Sequence, residues 1–83
     1  MDDIQLFILH KLYKLGCWGG RHTSFENLKK GLPPHLRGEV KQAAKALIKE
    51  NLLLSKPTSY GLEVSLNPKL GEQIKNLIRK YIE

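Results

Sequence analysis

LRGEVKQAAKALIKENLLLSKPTSYGLEVSL, residues 36–66, changes its hydrophobic period part-way along. Leu36, Val40, Ala43, Ala44, Leu47 and Ile48 recur at helical intervals and form one stripe. The helix starts between Pro34 and Gly38, because proline suits a first turn and disfavours helical backbone in the residue before it. Asn51 can close the helix, since its short side chain tolerates left-handed backbone. Beyond it, Leu52-Leu53-Leu54-Ser55-Lys56 reads as a strand and Pro57-Thr58-Ser59-Tyr60-Gly61 as a turn. Leu62-Glu63-Val64-Ser65-Leu66 then alternates apolar and polar as a second strand. The organising unit is a helix of about 35–50 running straight into a hairpin of about 52–66.

On the carboxyl side, Asn67 and Pro68 supply a cap and a first helical position. The helix they open, about 68–82, carries Leu70, Ile74, Leu77, Ile78, Tyr81 and Ile82 on one stripe. On the amino side, Thr23 with Glu26 matches a capping box and predicts a short helix from Ser24 to Lys30, ending at Gly31. Phe25 and Leu28 are its inward residues, and Pro33-Pro34 stiffens the turn that follows. Arg21-His22-Thr23 supplies a short strand, preceded by a turn at Cys17-Trp18-Gly19-Gly20. Asp2 or Asp3 can cap a first helix that stops at Gly16. Its apolar residues fall on two adjoining faces, Ile4, Ile8, Leu12 and Leu15 on one and Leu6, Leu9 and Tyr13 on the other. A peripheral helix needs one such face, so burial on two sides is expected, by another helix of the chain or by a second subunit.

A chain of 83 residues without repeat, linker or low-complexity stretch makes one domain, 1–83, with a modest core. Its formal charge is +6, and eight of the 14 bases lie between Arg21 and Lys56 beside only three acids. Such a balance favours nucleic acid or an anionic lipid surface as partner. Cys17 is the only cysteine, which excludes an intrachain disulfide and fits a reducing cytoplasm. The chain opens Met1-Asp2-Asp3, unlike a secretory signal, and the apolar run from Ile4 to Leu15 is too short to span a bilayer. A soluble, cytoplasmic protein with no membrane association is expected.

Within the third helix Arg37, Lys41, Lys45 and Lys49 recur at intervals of four. Like charges at that spacing oppose the helix by a few tenths of a kcal/mol per pair. The ladder winds slowly, by about 40° per step, and spans roughly 18 Å. A row of phosphates would turn that repulsion into binding energy. A solvated lysine face is the plainer alternative, since Lys and Arg are good helix formers.

This order of elements resembles a winged helix-turn-helix domain over residues 4 to 82. The resemblance rests on four features together: the short strand before Thr23, the capped helix through Leu28 to Gly31, the longer helix ending Leu47-Ile48-Lys49-Glu50-Asn51-Leu52, and the hairpin with Lys56-Pro57-Thr58-Ser59-Tyr60-Gly61 at its tip. It implies an α+β, mainly α fold: a three-helix core with a small antiparallel β-wing and a C-terminal helix. Asn51 stands where the family often has glycine, and the Pro33-Pro34 turn is bulkier than usual, which leaves the tilt of the third helix open.

In proteins of this family the third helix commonly enters the major groove and the wing rests on the backbone or the minor groove. Carried over, the residues opposite the apolar stripe are His35, Gly38, Gln42, Lys45 and Lys49, with Arg37 and Lys41 along one margin. The amino end of such a helix reaches deepest, so Arg37, Gly38, Lys41 and Gln42 are the candidates for base contact. Arg37 suits guanine O6 and N7, and Gln42 suits adenine N6 and N7. His35, Lys45, Lys49, Lys56, Ser59 and Tyr60, with Arg21, Lys29 and Lys30, are the candidates for the DNA backbone. Tyr60 can equally fold over the hairpin as a lid.

The expected function is therefore sequence-selective binding of double-stranded DNA by a small transcriptional regulator. A homodimer through the first and last helices would read inverted half-sites. The alternative is a winged-helix interaction module that binds a protein partner in a transcription or replication machine. RNA is disfavoured, because few aromatics are available for stacking. No enzyme and no cofactor are expected. Cys17 and His22 lack an acid at useful spacing, and His10, His22, His35 and Cys17 lack the close pairs of a zinc site. Trp18-Gly19-Gly20-Arg21 does not match a phosphate loop and reads as a turn.

Overall fold

Helix ends carry backbone groups without intrahelical partners, and the residues that satisfy them set the boundaries here. In the computed structural model, which describes residues 1–59 and 61–82 without the side chain of Ile82, the first helix α1 spans Asp3–Leu15. Asp2 caps it by accepting from Gln5 N at 2.8 Å, and Gln5 Oε1 accepts from Asp2 N at 3.0 Å. Gly16, at φ 69°, ends it in the left-handed conformation.

The elements that follow are β1 (Thr23–Ser24), α2 (Phe25–Lys29), α3 (Arg37–Lys49), β2 (Leu53–Thr58), β3 (Gly61–Leu66) and α4 (Gly71–Ile82). Single 3-10 turns, Pro34–Leu36 and Pro68–Leu70, precede α3 and α4. The three strands form one antiparallel sheet in the order β1-β3-β2. The result is a mainly helical α+β domain with a three-stranded sheet and a C-terminal helix. No helix among the described residues is long and apolar enough to cross a membrane.

Several boundaries differ from the sequence reading, beginning with the first strand, which is Thr23–Ser24 and not Arg21-His22-Thr23. Thr23 does not cap α2: it pairs with Val64 in the sheet, and Ser24 takes the cap, its Oγ accepting from Asn27 N at 3.1 Å. The Asn27 side chain reaches back to Thr23 Oγ1 at 3.0 Å, while Glu26 turns instead to Lys29. The hairpin turn is shorter than 57–61, because pairing continues to Thr58 and Gly61. Pro57 is accommodated since β2 is an edge strand, where a missing N–H is tolerated. Asn67 does cap, accepting from Lys69 N at 3.0 Å, but the α-helical part of the last helix waits until Gly71.

The two apolar faces of α1 are covered in large part within the chain, because α1 packs against both α3 and α4, while Tyr13 and Leu15 stay exposed. Ile8, Leu9 and Leu12 are fully buried, together with Val40 and Leu47 of α3 and Ile74 of α4. Burial of each such side chain contributes about 1.5–3 kcal/mol relative to exposure.

Asn51 adopts φ 66°, as its place after α3 requires. Its carbonyl accepts from Asn67 Nδ2 at 2.8 Å. Replacing Asn51 by Val is expected to lower the unfolding free energy by about 1–2 kcal/mol, whereas Asn51→Gly stays close to the parent. Urea unfolding followed by circular dichroism measures both.

Candidate nucleic-acid interface

The placement of α3 follows from its composition. Val40, Ala43, Ala44 and Leu47 are buried, Leu36 and Ile48 are half-buried, and the opposite side is left to solvent. On that side His35, Arg37, Gly38, Lys41, Gln42, Lys45 and Lys49 are all exposed. None of the four ladder cations has an acidic partner within ion-pair distance among the described residues.

The exposed face is graded in charge. Gly38, Glu39, Gln42, Ala43 and Ala46 border a trough shared with Asp2, Ile4 and Gln5 at the amino end of α1. Glu39 and Asp2 therefore make one margin of α3 acidic, and helical phase puts Arg37 and Lys41 on the other. Of the four base-contact candidates, Arg37 and Lys41 share the basic margin, while Gly38 and Gln42 lie toward the acidic one. Arg37 is also braced: its Nε donates to the Leu32 carbonyl at 3.2 Å, tying the guanidinium to the Pro33-Pro34 turn. The Nη fork of the same group is the part that remains for an external acceptor. A methyl group at Gly38 would meet nothing within 4 Å, so the chain's own packing does not demand glycine there.

The backbone-contact candidates outside α3 are dispersed over three elements. Lys29, at the end of α2, approaches Glu26 at 3.4 Å and lies 5.3 Å from the centroid of the Phe25 ring, so its charge is partly engaged locally. Lys30 and Arg21 are exposed, the first after α2 and the second in the loop before β1. Lys56 and Ser59 are exposed on the hairpin, where Lys56 stands across from Glu63. Tyr60 lies outside the described residues.

Sequence reasoning missed one contact near the hairpin. His22 Nδ1 meets Glu63 Oε1, joining the loop after α1 to the middle strand. The two residues are 41 positions apart, and only the antiparallel pairing of β1 with β3 brings them together. The alternation that turns Glu63 away from the core was visible, but its partner was not.

Cys17 is 7% exposed and does not meet His22 as a base. Burial pushes its thiol above the ordinary value, and the nearby Arg21 charge opposes that shift. Among the described residues no group of three or more His, Cys, Asp or Glu gathers to hold a metal ion. No family model matches the chain, and no curated protein or solved structure is similar enough to stand as a relative.

A buried thiol with a raised pKa is a poor nucleophile. The folded protein should react with a thiol reagent such as DTNB at least about tenfold more slowly than the chain in urea at the same pH. Equal rates would show Cys17 to be open to solvent.

Proposed function

We propose that this chain is a winged helix-turn-helix domain that binds double-stranded DNA sequence-selectively, as a small transcriptional regulator. The observation that carries the reading is the exposed ladder Arg37, Lys41, Lys45 and Lys49 on α3, which has no ion-pair partner among the described residues. The sheet order β1-β3-β2 supports it, because the edge hairpin is then available as a wing with Lys56 and Ser59 near its tip.

The graded charge favours one orientation of α3 in the major groove. Lys41 and Lys45 turn toward the nearer phosphates, and the Asp2–Glu39 margin turns away from the opposite wall. Arg37, steadied by the Leu32 carbonyl, reads guanine with its Nη fork. Gln42 reads an adenine from the far side of the helix, and Lys45 and Lys49 hold the backbone. Regulation would follow from occlusion or recruitment at an operator.

The dimer expected from the first and last helices has a reduced surface, because α1 and α4 pack on each other within one chain. Among the apolar side chains they leave exposed, Tyr13 and Tyr81 would form the two-fold pair. Sedimentation at micromolar concentration separates a dimer from a species of 9.5 kDa.

Titration with mixed-sequence duplex at several salt concentrations tests the DNA reading. Affinity should fall log-linearly with salt, and Lys41→Ala or Lys45→Ala should each reduce the slope by about one. Glu39→Gln should tighten binding. No binding at low salt would remove this reading in favour of a protein-interaction module. Arg37→Ala and Gln42→Ala should each relax preference at one base pair, at a cost of about 1–3 kcal/mol, and a uniform loss over all sequences would make them phosphate contacts.

A further inference from the structure

The side of α1 that faces away from the core has a composition that DNA binding by α3 does not use. Phe7, His10, Lys11, Lys14 and Leu15, with Gly31 from the turn after α2, line an open trough of about 320 Å³. Its floor is hydrocarbon: the half-buried Phe7 ring and Leu15, which is 42% exposed. Its rim is cationic, with Lys11 and Lys14 beside His10 and no acid among the lining residues.

Local packing holds this shape. A methyl group at Gly31 would stand 2.6 Å from Lys11 Nζ and 2.9 Å from Phe7 Cζ, so the tips of these two side chains lie against the turn and would have to shift to admit one. Lys11 Nζ lies 6.0 Å from the Phe7 ring centroid, above the apolar floor. On the far edge the His10 ring meets Tyr81 of α4 with centroids 5.8 Å apart.

We propose that this trough docks an acidic segment of a protein partner. One bulky apolar side chain seats against Leu15 and the exposed part of Phe7, alongside the Lys11 hydrocarbon stem, and flanking carboxylates meet Lys11 and Lys14. Charge complementarity selects the partner, and the hydrocarbon floor supplies the anchor. The trough is too open to enclose a free small molecule, which a ligand site would do for most of the ligand's surface. Ile8, Leu9 and Leu12 of α1 face the core shared with α3, so an occupied trough leaves the α3 ladder uncovered. The docking stands whether or not α3 binds DNA.

The test is NMR titration of isotope-labelled protein with a short synthetic peptide in which Asp and Glu flank a Leu-Phe pair. Saturable shifts are expected at Phe7, Lys11, Lys14, Leu15 and Gly31. Lys14→Glu and Leu15→Ser should each weaken binding about fivefold or more. Both side chains are exposed, and spectra of the free variants verify that the fold persists. A peptide with Ser-Ser in place of Leu-Phe should leave these signals unmoved. Shifts centred on Arg37, Lys41 and Lys45 would overturn the proposal, as would binding indifferent to Lys14→Glu. Concentration-dependent shifts at the trough without peptide would also overturn it, assigning the surface to a second copy of the chain.

Discussion

Leu66 is gripped from both sides at the end of β3. Its N–H donates to the Cys17 carbonyl at 2.8 Å, and its carbonyl accepts from Gly19 N at 3.0 Å. The next residue, Asn67, donates through its backbone N–H to Leu52 O at 3.1 Å and through its side chain to Asn51 O at 2.8 Å. The loops leaving α1 and α3 and the turn entering α4 thus meet at one dipeptide. Each such bond contributes only about 0.5–1.5 kcal/mol net, but leaving a backbone group of the buried Leu66 unpaired would cost more than its bond gains. Leu66 itself is fully buried, so the polar tie and the apolar core are fastened at the same residue.

From that junction the orientation of α3 follows. Leu52 N donates to Leu47 O at 3.0 Å, which carries the tie at Asn67 back into the last turn of the helix. With its end fixed and Val40, Ala44 and Leu47 sunk in the core, α3 has no freedom to roll its cations inward. The like-charge ladder opposes the helix by a few tenths of a kcal/mol per step, and burial of the apolar stripe offsets that many times over. A positively charged face is thereby held in solvent by packing on the opposite side of the same helix.

The molecule also keeps its charges sorted. Glu63 is occupied by His22 on the sheet, and Asp2 and Glu39 are confined to one margin of α3. Lys11 and Lys14 rim a separate trough on α1. An anionic partner on α3 and an acidic segment on α1 would address different surfaces of one small core.

Much of this was legible in the residues themselves. The change of period at Asn51 located α3 and the hairpin, and Asp2, Gly16, Asn51 and Asn67 marked ends of elements, because capping and left-handed backbone are local properties of a few side chains. The exposed ladder was equally legible, since apolar and charged residues separate by helical phase alone. Tertiary structure decided what depends on residues distant in the chain. Pairing with Val64 took Thr23 into the sheet and passed the cap to Ser24; packing of α4 on α1 covered faces that could have met a second subunit; and the proximity of α1 set Asp2 beside Glu39, giving α3 its acidic margin. Local order in this protein is written in short-range chemistry, whereas the sharing of caps, faces and charges among elements depends on which surfaces meet when the core closes.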